Sequence, residues 1–117
     1  MAVGFTGKAA FAGGHLVTWA AIPNGQQGIG WSIGPHWATL TAQLTGTLGA
    51  GGSVTMEGSM DGTTYGSLHT TSGTIATMTA LGLIAIAELP LYIRPNVTAG
   101  DGTTALTVQL LAAGGRA

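Results

Sequence analysis

The sequence predicts an all-β protein: a single β-sandwich or jelly-roll-like domain of short antiparallel strands, with an extended N-terminal arm. Three observations carry this. Apolar residues recur with period two, most clearly in HWATLTAQLTGTL, His36 to Leu48. The periodic runs are short, and glycine- and aspartate-rich turns separate them, as in GGSVTMEGSMDGTTYGSL, Gly51 to Leu68. Period two marks a half-buried strand, and many short strands with such turns mark a sandwich or barrel.

Residues 1–14 mix small, glycine and phenylalanine residues without a period. Together with the first strand, HLVTWA (His15 to Ala20), they are expected to form an arm over residues 1–20 that a partner orders, with Phe5 and Phe11 as anchors. The sandwich domain then runs from 21 to 117. AIPNGQQG turns the chain with Pro23, Asn24 and Gly25. From 38 to 48 the even positions Leu40, Ala42, Leu44 and Leu48 face the core, while Thr39, Thr41, Gln43, Thr45 and Thr47 face outward. That outer face is polar but uncharged, fit to be wet or covered.

GAGG, Gly49 to Gly52, ends this strand. SVTMEG places Val54 and Met56 inward and Thr55 and Glu57 outward. A short strand is expected within 74–79, a turn or brief helical piece at 80–82, and an apolar stretch LIAIAE before Pro90. LYIRPNV alternates again. Pro95 lacks a ladder donor, so the strand is expected to be an edge or to break there. TALTVQLL closes the chain with Leu106, Val108 and Leu110 inward.

The stretch DGTT occurs twice, at Asp61 to Thr64 and at Asp101 to Thr104. Asp61-Gly62 and Asp101-Gly102 are read as one hairpin turn used twice, because Asp-Gly suits type I′ turns. A calcium loop needs several oxygen ligands over about a dozen residues. Glu57 and Asp61 supply two carboxylates at most, and Asp101 has no acidic neighbour. The turn reading wins over metal.

Of 117 residues, 45% are hydrophobic and 6% are charged, with a net charge of -1. Soluble domains carry about 25% charged residues, and a near-neutral surface associates. Much of this surface is therefore expected to be covered, in a homo-oligomer. Lys8, Arg94 and Arg116 are too few for the basic footprint of a nucleic-acid binder. The most apolar run, Ala80 to Leu91, is too short and too interrupted to span a membrane, which takes roughly 20 apolar residues. No secretory signal is expected at the start. The absence of cysteine excludes disulfides and thiolate sites.

His15, His36 and His69 are scattered, with no second ligand at metal spacing. No nucleophile elbow is present, and the glycines of QQGIGW lack a βαβ context. No catalytic, metal or cofactor residue is assigned, and an enzyme would require a pocket where a histidine meets a carboxylate. Glu88 and Arg94 flank Pro90 in an apolar region. They are expected to pair with each other or across a subunit boundary. Trp19, Trp31 and Trp37 cluster in the first third and are assigned, with Phe5, Phe11, Glu88 and Arg94, to core or interface. Exposed, Trp31, Trp37 or Tyr65 would instead make a glycan platform.

EGSMDGTTY and ELPLYIRPNVTAGDGTTALTVQLL together resemble a family of small tailed-bacteriophage virion proteins encoded near capsid genes. Its members carry a GS-DG-T-aromatic turn, matched by Gly58, Ser59, Asp61, Gly62, Thr63 and Tyr65. They end on a YIRP-V-AG-G-T pattern, matched by Tyr92, Ile93, Arg94, Pro95, Val97, Gly100, Gly102 and Thr103, then Val108 and Leu110. The resemblance covers about residues 38–111. It implies a β-sandwich of the capsid decoration or cement type on the outer surface of the virion. The major capsid protein would be its partner, a trimer the favoured assembly, and catalysis absent. Family members carry more charge in their first strands than this chain does. A receptor- or glycan-binding module of head, neck or tail is the alternative.

Overall fold

A computed structural model of the chain describes residues 2–11, 13–33 and 37–114. His36 and the side chain of Phe11 lie outside the described residues. Ten strands are present among the described residues: β1 (Phe5–Phe11), β2 (Gly14–Ile22), β3 (Trp31–Ser32), β4 (Thr39–Thr47), β5 (Ser53–Ser59), β6 (Gly66–Ser67), β7 (Thr77–Met78), β8 (Gly82–Ile86), β9 (Tyr92–Ala99) and β10 (Ala105–Ala113). They form two sheets whose ladders are all antiparallel. The first has the order β1-β2-β10-β4-β8; the second has β3-β9-β5-β6, with β7 also on β5. Among the described residues no ladder closes them into a barrel. Isolated bridges join their edges instead, Val3 to Gly28 on one side and Thr70 to Ile86 on the other.

The alternating residues fill the space between the sheets. Leu40, Ala42 and Leu44 of β4, Val54 and Met56 of β5, Ile93 and Val97 of β9, and Leu106, Val108 and Leu110 of β10 are all buried. Such burial, at about 25 cal/mol per Å² of apolar surface, is what holds two sheets together. The threonines of β4 face out, as their parity requires.

Where an extended arm leading into the first strand is expected, β1 and β2 both lie within the first sheet. Gly14–Ile22 lies between β1 and β10, and Val17, Trp19 and Ile22 are core residues. Strict alternation would turn Ile22 outward. The register shifts between Leu106 and Val108, and Ala21 takes a φ of 56° opposite that shift. This bulge adds the residue that brings Ile22 back to the core face. Local composition hid β1 (FTGKAAF), because its residues 5–9 are exposed and it lies outermost in its sheet.

Pro95 also behaves differently from expectation. β9 is internal, flanked by β5 and β3. The Pro95 carbonyl accepts a hydrogen bond from Gly28 N at 2.8 Å. In an antiparallel strand a residue's nitrogen and carbonyl point the same way, so the missing donor faces the loop before the two-residue β3. The ladder to β5, where Met56 opposes Pro95, loses nothing.

Candidate functional site

The two DGTT segments fold alike at the aspartate but serve different connections. In the first, the Asp61 carboxylate accepts from Thr63 N and Thr64 N, both at 2.8 Å, and from Ser59 Oγ at 2.8 Å. Gly62, at φ 79°, completes the turn, while Asp61 keeps a negative φ. This is an aspartate-anchored turn, not the type I′ hairpin expected, which needs positive φ at both central residues. It joins β5 to β6, which are paired. In the second, Asp101 accepts from Thr103 N and Ala50 N, each at 2.9 Å. Here the chain crosses from the second sheet to the first, so Asp101-Gly102 makes a sandwich corner tied to the β4–β5 loop, not a hairpin.

These bonds favour the ionised aspartates. The backbone N–H groups of Thr64 and Thr63 hold Asp61 at about 2, and the Thr103 hydroxyl with the Ala50 N–H holds Asp101 at about 2. A depressed carboxylate pKa stabilises the fold above the unfolded value, near 3.8, and the contribution fades as pH falls toward 2. The melting temperature is therefore expected to drop between pH 4 and 2 (roughly the window those values set) and less steeply in Asp101→Asn. A flat profile there would rule out the turn role.

Glu57 and Arg94 face each other across β5 and β9. Arg94 Nε donates to Glu57 Oε1 at 2.9 Å, and Asn96 Nδ2 donates to Glu57 Oε2 at 3.0 Å. The Arg94 guanidinium carbon also lies 3.8 Å from the centre of the Tyr65 ring, a cation–π contact that pins the β5–β6 loop to the sheet. The expected pairing of Glu88 with Arg94 is thus replaced. Glu88 instead accepts from His69 N at 2.7 Å and from His69 Nδ1 at 2.6 Å. Burial raises the Glu88 pKa, but the His69 bonds outweigh it and leave the carboxyl below its ordinary value. Sequence reading left Glu57 without a role, because its partner lies 37 residues away and only the strand register brings the two together.

A histidine therefore does meet a carboxylate. Both side chains are nearly half exposed, and no hydroxyl hydrogen-bonds the His69 ring among the described residues. The described residues contain no group of three potential metal ligands.

The aromatic residues divide. Trp19 is fully buried and donates from Nε1 to Ile29 O at 2.8 Å, so it belongs to the core and not to an interface. Phe5 leans on it edge-on, with ring centres 5.8 Å apart. Trp31 stacks on His15 at 5.5 Å, and Trp37 tilts against the same imidazole at 6.2 Å. Both tryptophans are partly buried and pack against the core. With Tyr65 held beside Arg94, no ring proposed for a glycan platform stands free of a neighbour.

Among the described residues an open groove of about 600 Å³ lies between the β5–β6 loop and the segment Glu88–Pro90. Its lining is mostly apolar, from Met60, Leu68, Leu89 and Pro90, with Asp61 and Glu88 as its two carboxylates.

No protein-family model and no curated protein sequence matches the chain. The fold has a clear structural counterpart. The crystal structure of the SPBc2 prophage-derived protein YomS superposes with a TM-score of 0.65, covering 90% of this chain and 98% of that one. Identity is 11%, so the likeness to YomS is one of fold.

Proposed function

We propose that this chain is a structural protein of a bacteriophage head, a decoration or cement protein on the outer surface of the capsid. The observation that carries the reading is the sandwich shared with a prophage-derived protein over nearly its whole length. The GS-DG-T-aromatic and YIRP-V-AG-G-T segments support it, as does the scarcity of charge. In this role the major capsid protein is the partner, and the protein acts as a homo-oligomer, a trimer favoured. Catalysis, cofactor, nucleic acid and membrane have no part. Among the described residues no helix is long and apolar enough to cross a membrane.

The mechanism is additive contact. Each copy spans neighbouring capsid subunits, and symmetric placement of many copies multiplies weak individual affinities. The rigid sandwich resists deformation, while the uncharged outer positions of β4, four threonines and Gln43, pack closely without desolvating ions. A receptor- or glycan-binding role gains nothing from aromatic rings already engaged with His15 and Arg94.

Purified particles made with and without the chain provide the test. The chain is expected in stoichiometric multiples on the shell, at local three-fold positions, and particles lacking it should burst at lower temperature. Absence from particles would overturn the reading, and location at a single vertex would move it to the portal or tail.

A further inference from the structure

Among the described residues, an open strand edge and an apolar groove lie at opposite edges of the sandwich. Among the described residues β1 pairs with β2 alone, which leaves the other side of its backbone open, and residues 5–9 are all exposed. Near its middle stands Lys8, which forms no ion pair among the described residues. The opposite edge carries the apolar groove, which includes the short outer strand β6 and displays Asp61 and Glu88. The Asp61 Oδ2 atom accepts no hydrogen bond among the described residues, since the turn uses Oδ1 alone. The edges are opposite because β1 and β3 are joined through Val3–Gly28 and the His15–Trp31 stack, whereas β8 meets the β6 side through Thr70–Ile86.

We infer that copies of this chain associate head to tail, the β1 edge of one copy seated in the β6-side groove of the next, with Lys8 against Asp61 and Glu88. Charge decides between this and the pairing of β1 with another β1. An isologous contact sets a patch against itself, which would bring two lysines together on one edge. A lysine on an edge strand guards against indiscriminate pairing; opposite a groove with two carboxylates it selects the partner. Head-to-tail contacts generate rings where the rotation closes, which accommodates three copies. The inference rests on the homo-oligomer in the proposed function, not on attachment to a particle, so a solution experiment fails or succeeds independently of particle incorporation.

Two variants test it. Lys8→Glu reverses the edge charge on an exposed residue. Gly66→Trp fills the groove, and the backbone tolerates it, since a Cβ at Gly66 meets no atom within 4 Å. Light scattering after gel filtration should give wild-type masses at multiples of 11.6 kDa, reduced by salt, and single-chain masses for each variant alone. An equimolar mixture should give a dimer, because one intact edge and one intact groove remain between the two variants. A wild type that stays monomeric at every concentration would overturn the inference. So would an oligomer that either variant leaves intact, or a mixture that remains monomeric. Unchanged circular dichroism and melting temperature in both variants show that their folds persist.

Discussion

Trp19→Ala is expected to lower the unfolding free energy by about 4 kcal/mol, the range for truncating a large buried aromatic residue. Against a total of roughly 5–15 kcal/mol for a domain, that leaves the chain marginal at best. The size follows from three losses at one place. The indole is fully buried between the sheets. Its Nε1–H satisfies the Ile29 carbonyl at 2.8 Å, which would be left to find water. Gly28 lies so close to the ring that any side chain there would strike Trp19 and Pro95, so the surrounding backbone is shaped to the indole and cannot collapse into the gap. Trp19→Phe should recover most of the packing and retain a deficit of about 1–2 kcal/mol for the unpaired carbonyl. Urea unfolding monitored by circular dichroism reads both values. A shift below about 1 kcal/mol for the alanine variant would mean that the tryptophan is not a core residue.

Glu57→Ala is expected to cost about 2 kcal/mol, less than the 3–5 of a fully buried pair because the partners keep some solvent contact. The Glu57 and Arg94 side chains are 15% and 25% exposed. Removing the carboxylate strands both the guanidinium and the Asn96 amide, and it loosens the clasp of Arg94 on the Tyr65 ring. A double-mutant cycle with Arg94→Ala should therefore give a coupling energy of about 1–2 kcal/mol. Protection of the β5–β6 loop amides from hydrogen exchange should fall in either single variant. Additive effects would show the pair to be a surface coincidence.

Much of the fold was legible because a half-buried strand writes its burial into the sequence with period two. The parity of β4, β5 and β10 placed Leu40, Met56 and Leu110 on the core side, where the structure finds them. The repeated DGTT marked two places where the chain turns, because aspartate and glycine carry turn chemistry locally. Where that logic failed, a distant element had intervened. His15 to Ala20 was legible as a strand, but its continuation to Ile22 was hidden because a bulge at Ala21 changes the parity near the end of β2. The two DGTT turns look the same in sequence, but one closes a hairpin and the other changes sheets, a difference set by the partner that receives the next strand.

The sequence by itself determined the strand character, the core faces, the turn positions and the scarcity of charge, all properties of neighbouring residues. The tertiary structure alone decided the ion pairs, since Glu57 meets Arg94 and His69 meets Glu88 only through the register of non-adjacent segments. It also decided that Trp19 is core while Lys8 and the Asp61–Glu88 groove stand at opposite edges. Period and composition describe one strand at a time. Which charge faces which depends on how the strands are ordered, and that order is fixed by packing across the whole sandwich.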